Sequence, residues 1–329
     1  MATHLPASQR LLEGKSLLLT GAGRGVGRAH AIELAKLGAK IVVNDIGTSL
    51  RGDDTDAANP ADNVVAEIAA FGGEAIANYD DVCSWKGALG AVRMGIDAFG
   101  KLDGLVNNAG ILRKVALADL VEDDFDAIVR VHLKGSFACT VHALNYWRER
   151  FTAGDDPRAS IVNTFSEAVL VSLPNYSVYG AAKAGVVQLT TVGSREASAY
   201  GVRLNAYGPR ALTRMTPGAD QMDRSVPHPM DPENSSPLVS WLLSDQSAHV
   251  TGQVFQTVGG GVARCEGWAA GEMVWPENGR FRFEPEEVGA ALNSRVFGCR
   301  YPDKVLQEPP GFSAVLASQA SSPGQAPVS

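Results

Sequence analysis

Residues 16–45 read "SLLLTGAGRGVGRAHAIELAKLGAKIVVND", and the order of residue types in this stretch sets the architecture. "SLLLT" (16–20) is a short apolar run without alternation, the pattern of a strand buried on both faces. It ends at "GAGRGVG" (21–27), where glycines permit a tight turn that side chains would block. "GRAHAIELAKLG" (27–38) is rich in alanine and leucine and reads as a helix. "KIVVND" (40–45) is a second buried strand. A helix joining two fully buried strands implies that the strands run parallel.

The alternation continues along the chain. "GTSLRGDDTDAANP" is a polar loop, and "ADNVVAEIAAFGG" is a helix that stops at glycines. "EAIANYDDV", "WKGALGAVRMGIDAFG", "LDGLVNNAG", the long helical "DDFDAIVRVHLKGSFACTVHALNYWRER" and "ASIVNTFS" follow. After the strand "VRLNAYGPR", the helix "PLVSWLLS" and the strand "GQVFQTVGG" complete the sheet. The fold expected is α/β: a single Rossmann-type doubly wound parallel sheet with helices on both faces. Four parts are expected: an N-terminal lead-in (1–12), the main domain (13–264), a C-terminal extension (265–308) and a disordered tail (309–329). The extension holds Trp268, Trp275, Phe281 and Phe283, and the tail is rich in Pro, Ser, Ala and Gln. Within the main domain, residues 208–237 carry six prolines and little periodicity. They read as a substrate lid because they leave the sheet on its ligand-binding edge, the alternative being a flexible surface loop.

Hydrophobic residues make up 45% and charged residues 20%, as in ordinary globular chains. A formal net charge of −7 argues against nucleic acid or an anionic membrane as partner. No apolar run has the roughly 18 residues of a membrane helix. The first apolar run reads as a strand and not as a signal peptide, so a cytoplasmic location is expected. Cys83, Cys139, Cys265 and Cys299 lie far apart, without CxxC or a Cys/His cluster, and read as reduced thiols. No metal site is expected.

The glycine turn is the first piece of chemistry. Gly21, Gly25 and Gly27, with Arg24 and Val26 between them, let the backbone approach a pyrophosphate at a helix N-terminus. Asp45, ending the second strand 24 residues beyond Gly21, is placed to bind an adenosine ribose 2′-OH. Its charge would repel a 2′-phosphate, so NAD is expected over NADP, with Arg24 and Arg51 as phosphate ligands that could soften the preference. Asp81, next to Val82, is placed to hydrogen-bond adenine; a solvated loop carboxylate is the alternative.

The second piece lies in "NTFSEAVLVSLPNYSVYGAAKAG" (163–185). Tyr179 and Lys183 are four apart and share a helix face, whereas Tyr176 has Gly180 at that offset. A phenol near its ordinary pKa of about 10 is a poor base. An ammonium one turn away and a cationic nicotinamide would bring it toward the working range. Ser166, 13 residues before Tyr179, ends a strand where its hydroxyl could hold a substrate oxygen.

These residues, with "NNAG" (107–110) and "TGQVFQTVGGG", resemble the short-chain dehydrogenase/reductase family over roughly residues 14 to 262. The resemblance implies a relay in which Tyr179 exchanges the proton, Ser166 polarises the substrate oxygen and Lys183 holds the nicotinamide ribose. Asn107, Asn108, Ala109 and Gly110 would line the cofactor site and support the sheet. Two departures stand out. His132 occupies the position where many members have a relay asparagine, and reads either as a relay member or as a satisfied buried histidine. The usual Pro-Gly after the sixth strand is "GPRAL", with Pro209 and Arg210; Pro209 is still expected at the cofactor, and Thr213 falls where members touch the nicotinamide carboxamide. "VVND", "NNAGILR", "VHLKGSF" and the Trp-bearing extension are similar to the (3R)-hydroxyacyl-CoA dehydrogenase unit of peroxisomal multifunctional enzyme type 2. The chain ends without an S-K-L signal. That similarity implies a small-molecule substrate, a 3-hydroxyacyl thioester first and a hydroxysteroid or other bulky apolar alcohol second. Arg113, Lys114, Arg210 and Arg214 are candidates for CoA phosphates, each equally readable as solvated surface. A catalytically silent dinucleotide-binding regulator is the rival of another class. A homo-oligomer, tetramer or dimer, is expected from surplus apolar surface at Phe125, Ile128, Val129, His132, Phe137, Val141 and Leu144.

Overall fold

The computed structural model describes residues 10–52, 59–171, 173–213, 228–267, 273–274, 276 and 285–295. Strand β1 (Ser16–Thr20) is followed by helix α1 (Gly25–Lys36), β2 (Lys40–Asn44), α2 (Pro60–Ala70), β3 (Glu74–Asn78), α3 (Trp85–Phe99) and β4 (Gly104–Asn107). Then come α4 (Glu122–Ile128), α5 (Gly135–Thr152), β5 (Ser160–Thr164), α6 (Ser177–Ala197), β6 (Arg203–Arg210), α7 (Ser236–Leu243), β7 (Val254–Val258), β8 (Gly261–Arg264) and α8 (Pro285–Arg295).

The eight strands form one sheet in the order β3-β2-β1-β4-β5-β6-β7-β8. β1 to β7 run parallel, as the buried apolar runs require, and β8 adds an antiparallel edge strand beyond the last strand read from the sequence. Leu17, Leu18 and Leu19 are fully buried. Each such side chain contributes on the order of 1.5–3 kcal/mol, and alternate leucines face opposite layers of helices. Leu17 and Leu19 pack with α1, α2 and α7, while Leu18 packs with α3 and α5. Trp147 of α5 closes the second layer, its indole N–H donating to Leu102 O at 2.6 Å. Helix ends follow the sequence signals. Asn59 caps α2 on Ala61 N, Ser84 caps α3 on Gly87 N, and Gly100 ends α3 at φ +77.

The stretch read as one long helix is three pieces. α4 and α5 are joined by a wider π-type turn at Val129–Lys134 that contains His132. Such turns concentrate at functional sites. Strand order reverses between β1 and β4, so the crevice at the strands' carboxyl ends opens there. Among the described residues no helix is long and apolar enough to cross a membrane. Several expectations lie outside the described residues: most of the lead-in, Arg214 and the centre of the 208–237 segment, Trp268, Trp275, Phe281 and Phe283 of the extension, Cys299, and the 309–329 tail.

Candidate active site

A cavity of about 440 Å³ opens at this crevice, within the size range of ligand sites. Its walls include Gly21, Arg24, Gly25, Val26, Gly27, Asp45, Asp81, Val82, Asn108, Ala109, Gly110, Ser166, Tyr179, Lys183, Pro209 and Thr213, whereas Asn107, also expected there, is not among them.

The glycine turn needs its glycines for contact as well as for conformation. Gly21 has φ +61, and a Cβ there would stand 2.7 Å from Ala109 Cα. A Cβ on Gly27 would meet Gly21 O at 2.2 Å and Asn108 Nδ2 at 2.5 Å. Asn108 spends its side-chain amide on the turn, donating to Thr20 O and Gly21 O at 3.1 and 3.0 Å. Thr20 Oγ1 in turn accepts from the backbone N–H of Asn108 and Ala109. The result is a bare backbone cradle leading into the N-terminus of α1, where Arg24 has no side-chain cap. Donors without carbon in the way fit a pyrophosphate, so the residues present suit a dinucleotide.

Asp45 does two jobs. Its Oδ2 accepts from Gly23 N at 3.0 Å and its Oδ1 from Gly47 N at 2.8 Å. It therefore braces the turn as well as facing the cavity, a duty that spacing alone did not show. Arg24 reaches Thr48 O at 3.3 Å, and Arg51 approaches Asp124 at 3.8 Å. Asp81 Oδ1 caps Cys83 N at 2.9 Å, and its Oδ2 is paired with Arg130 of the π-type turn. Nothing in the local sequence pointed to Arg130.

Tyr179 and Lys183 lie on one face of α6, as their spacing predicts. Lys183 is 4% exposed and donates to Thr164 O at 2.7 Å. Burial brings its pKa down to about 7. Burial also pushes the Tyr179 phenol above its ordinary value, against a lowering hydrogen bond from Ser166. Lys183 stands 5.9 Å from the Tyr179 ring centroid. Ser166 caps a short turn at Glu167–Val169, its Oγ accepting from Ala168 N at 3.2 Å. Tyr176 begins α6 and stands edge-on to Tyr179 at 5.9 Å, with Lys114 over its outer face.

His132 is 1% exposed and edge-on to Tyr179, with centroids 5.0 Å apart. Its Nε2 lies 2.7 Å from Ile111 O and 3.2 Å from Ile111 N. One nitrogen cannot both donate and accept, and the shorter contact makes Nε2 the donor. Nδ1 is then a buried acceptor without a protein partner. Desolvation lowers the pKa to about 3, so the ring is neutral at ordinary pH. Behind the site, Asn107 Nδ2 donates to Asn163 Oδ1 and Thr140 Oγ1 at 2.8 and 3.0 Å, tying β4 to β5 and α5.

The cationic candidates for CoA phosphates are corrected in part. Arg113 is neither solvated nor turned to a ligand: it is buried against Asp123 at 2.5 Å, Asp124 at 3.1 Å and Arg51 O at 3.1 Å. Its charge is neutralised inside the chain. Arg210 approaches Glu167 at 3.7 Å and remains on the cavity wall.

A strand-end crevice with a bare glycine cradle, a buried lysine and a tyrosine on one helix face is what short-chain dehydrogenases share, and residues 15–224 match the short chain dehydrogenase family. The chain belongs to that family. It is 38% identical to the hydroxyacyl-CoA dehydrogenase ChsB1 of Mycobacterium tuberculosis, over 75% of this chain and 78% of that one. It is 34% identical to the peroxisomal multifunctional enzyme type 2 of Mus musculus, over 78% of this chain but only 33% of that longer protein. A short chain dehydrogenase from Mycobacterium avium superposes with a TM-score of 0.80 at 43% identity, covering 91% of this chain and all of that one. A short chain dehydrogenase from Burkholderia cenocepacia, solved with NADP, superposes at 0.64 with 29% identity, over 76% of this chain and 98% of that one.

Proposed function

We propose that the protein is an NAD-dependent dehydrogenase that interconverts a secondary alcohol and a ketone, with a 3-hydroxyacyl-CoA as substrate. The observation that carries the reaction type is the convergence of Ser166, Tyr179 and Lys183 on one cavity with the glycine cradle. The relative named as a hydroxyacyl-CoA dehydrogenase supports the substrate class. Asp45 on the cavity wall supports NAD. The apolar walls at Ile111, Leu112, Leu173 and Met230 suit the body of such a substrate, and equally a hydroxysteroid as second reading.

When bound, the nicotinamide exchanges a hydride with the carbinol carbon. The chain supplies everything else. The glycine cradle and Asp45 hold the dinucleotide, and Lys183, anchored on Thr164 O, holds the ribose. Ser166 fixes the substrate oxygen. Tyr179 Oη takes the hydroxyl proton in oxidation and returns it in reduction. With its pKa raised by burial, Tyr179 is protonated at neutral pH, the form that donates in reduction, and the rate of oxidation should rise with pH. The protein acts in the cytoplasm as a homo-oligomer.

The test is reduced-nicotinamide formation from NAD and from NADP across (3R)- and (3S)-hydroxyacyl-CoA thioesters and hydroxysteroids. Turnover of a hydroxyacyl-CoA with NAD is expected. Turnover of hydroxysteroids alone selects the second reading, and tight NAD binding without turnover of any alcohol returns the chain to a silent regulator.

A further inference from the structure

One buried imidazole takes no part in the chemistry above. His30 lies in the second turn of α1 and is fully buried. Its Nδ1 is 2.8 Å from Ser236 Oγ, and its Nε2 is 2.5 Å from Tyr207 Oη. The ring stands edge-on to Tyr207 with centroids 5.3 Å apart. Tyr207, also fully buried, accepts from Thr164 Oγ1 at 3.3 Å. Thr164 and Tyr207 are register partners in β5 and β6, and the Thr164 carbonyl is the acceptor that holds Lys183. A line of hydrogen bonds therefore runs from α7 through α1 and β6 to the residue that anchors the lysine.

The places of its members in the chain give this line a purpose. Tyr207 stands three residues before Arg210, where β6 ends. Ser236 opens α7, directly after the turn Pro232–Ser235. One is near the end of β6 and the other is the first residue of α7, so the pair flank the connection between these elements. The described parts of that connection put Pro209, Arg210, Ala211, Thr213 and Met230 on the cavity wall. His30 belongs to the helix that begins at the glycine turn. A neutral imidazole offers one donor and one acceptor, so it serves both hydroxyls at once. Burial keeps it neutral by lowering its pKa to about 3. Apolar side chains could fill the same volume without the risk of stranded polar groups. The network therefore fixes a geometry that apolar packing would leave looser.

We infer that His30 is a positioning residue that clamps both ends of the β6–α7 connection to the glycine-turn helix, and so sets the substrate wall of the cavity against the cofactor cradle. The inference rests on the reading of the cavity as a dehydrogenase site.

Tyr207→Phe and Ser236→Ala each cut one arm of the clamp by removing a single oxygen, and His30→Leu cuts both. Hydrogen exchange followed by mass spectrometry is expected to show faster exchange at residues 207–213 and 228–236 in each variant, with α2 and β3 unchanged. The KM for a 3-hydroxyacyl-CoA is expected to rise by about tenfold in the single-arm variants while the NAD Kd stays within about twofold. His30→Leu is informative only where it folds; the other two variants remain decisive. Unchanged exchange in both segments overturns the inference, as does uniform acceleration across the chain or a loss of NAD affinity in step with substrate KM. Exchange is read without substrate. Local acceleration in a wild-type background that turns over no alcohol therefore overturns the dehydrogenase reading and leaves the clamp in place.

Discussion

Removing the Asp45 carboxylate tests both of its duties at once. In Asp45→Ala, Gly23 N and Gly47 N lose the acceptors they hold at 3.0 and 2.8 Å. Asp45 is 9% exposed, so water replaces those acceptors poorly. Each stranded N–H costs about 1–3 kcal/mol, and a stability loss on the order of 2 kcal/mol or more follows. Cofactor choice changes separately. NAD loses a hydrogen bond to a charged acceptor, worth about 1.5 kcal/mol at the low end. NADP loses a repulsion worth about 1 kcal/mol even at the dielectric of water, and about 4 kcal/mol near a protein surface. Taking the low ends, the ratio of kcat/KM for NAD over NADP should fall about sixtyfold, since about 1.4 kcal/mol is a factor of ten. Asp45→Asn keeps one acceptor for the turn, so it should lose less stability and still lose most of the selectivity. The assays are initial rates with both cofactors, beside urea denaturation of each variant. Lost stability with an unchanged cofactor ratio would refute the 2′-OH assignment and leave Asp45 as a brace for the turn alone.

Tyr179→Phe should lower kcat by about 10²–10⁴-fold with the NAD Kd retained, and Tyr176→Phe should keep most turnover; the reverse result would exchange their roles. Lys183 loses its proton near pH 7 in the folded chain but only near 10.5 in the unfolded one. Between those values the unfolded state binds more protons, so this residue makes stability rise with pH. Lys183→Met should flatten the rise, as read by urea denaturation at several pH values; parallel curves for the two proteins would contradict the burial effect. Of the residues expected as surplus apolar surface, Ile128 and His132 are buried in their own subunit, but Phe125 and Phe137, with Trp85 and Phe151, are 47%, 39%, 49% and 48% exposed, and exposed aromatics are a liability in a lone subunit. Sedimentation equilibrium at micromolar protein should show a tetramer or dimer, and a single species at the 34.6 kDa chain mass defeats that expectation.

Local signals carried much of this site. The glycine turn, Asp45 at the end of β2, and Tyr179 with Lys183 one helical turn apart are short-range patterns, legible because backbone geometry fixes which neighbours face together. What faces the cavity from elsewhere was not legible in the same way. Arg130 meets Asp81 across 49 positions, and the π-type turn that carries Arg130 and His132 reads as plain helix because its apolar spacing is helical. Arg113 looked like a free surface charge, since a sequence does not show that Asp123 and Asp124 fold back onto it.

The sequence alone determined the α/β alternation, the parallel sheet and the tyrosine that faces the lysine, because each depends on periodicity within one or two elements. Only the tertiary structure decided how those groups behave. Burial, which no local pattern encodes, sets Lys183 near pH 7 and holds His30 and His132 neutral. His30 meets Ser236 across 206 positions and Tyr207 across 177. Such pairings depend on strand order and on the packing of helices across a sheet, so they exist only once the whole chain has closed on its core.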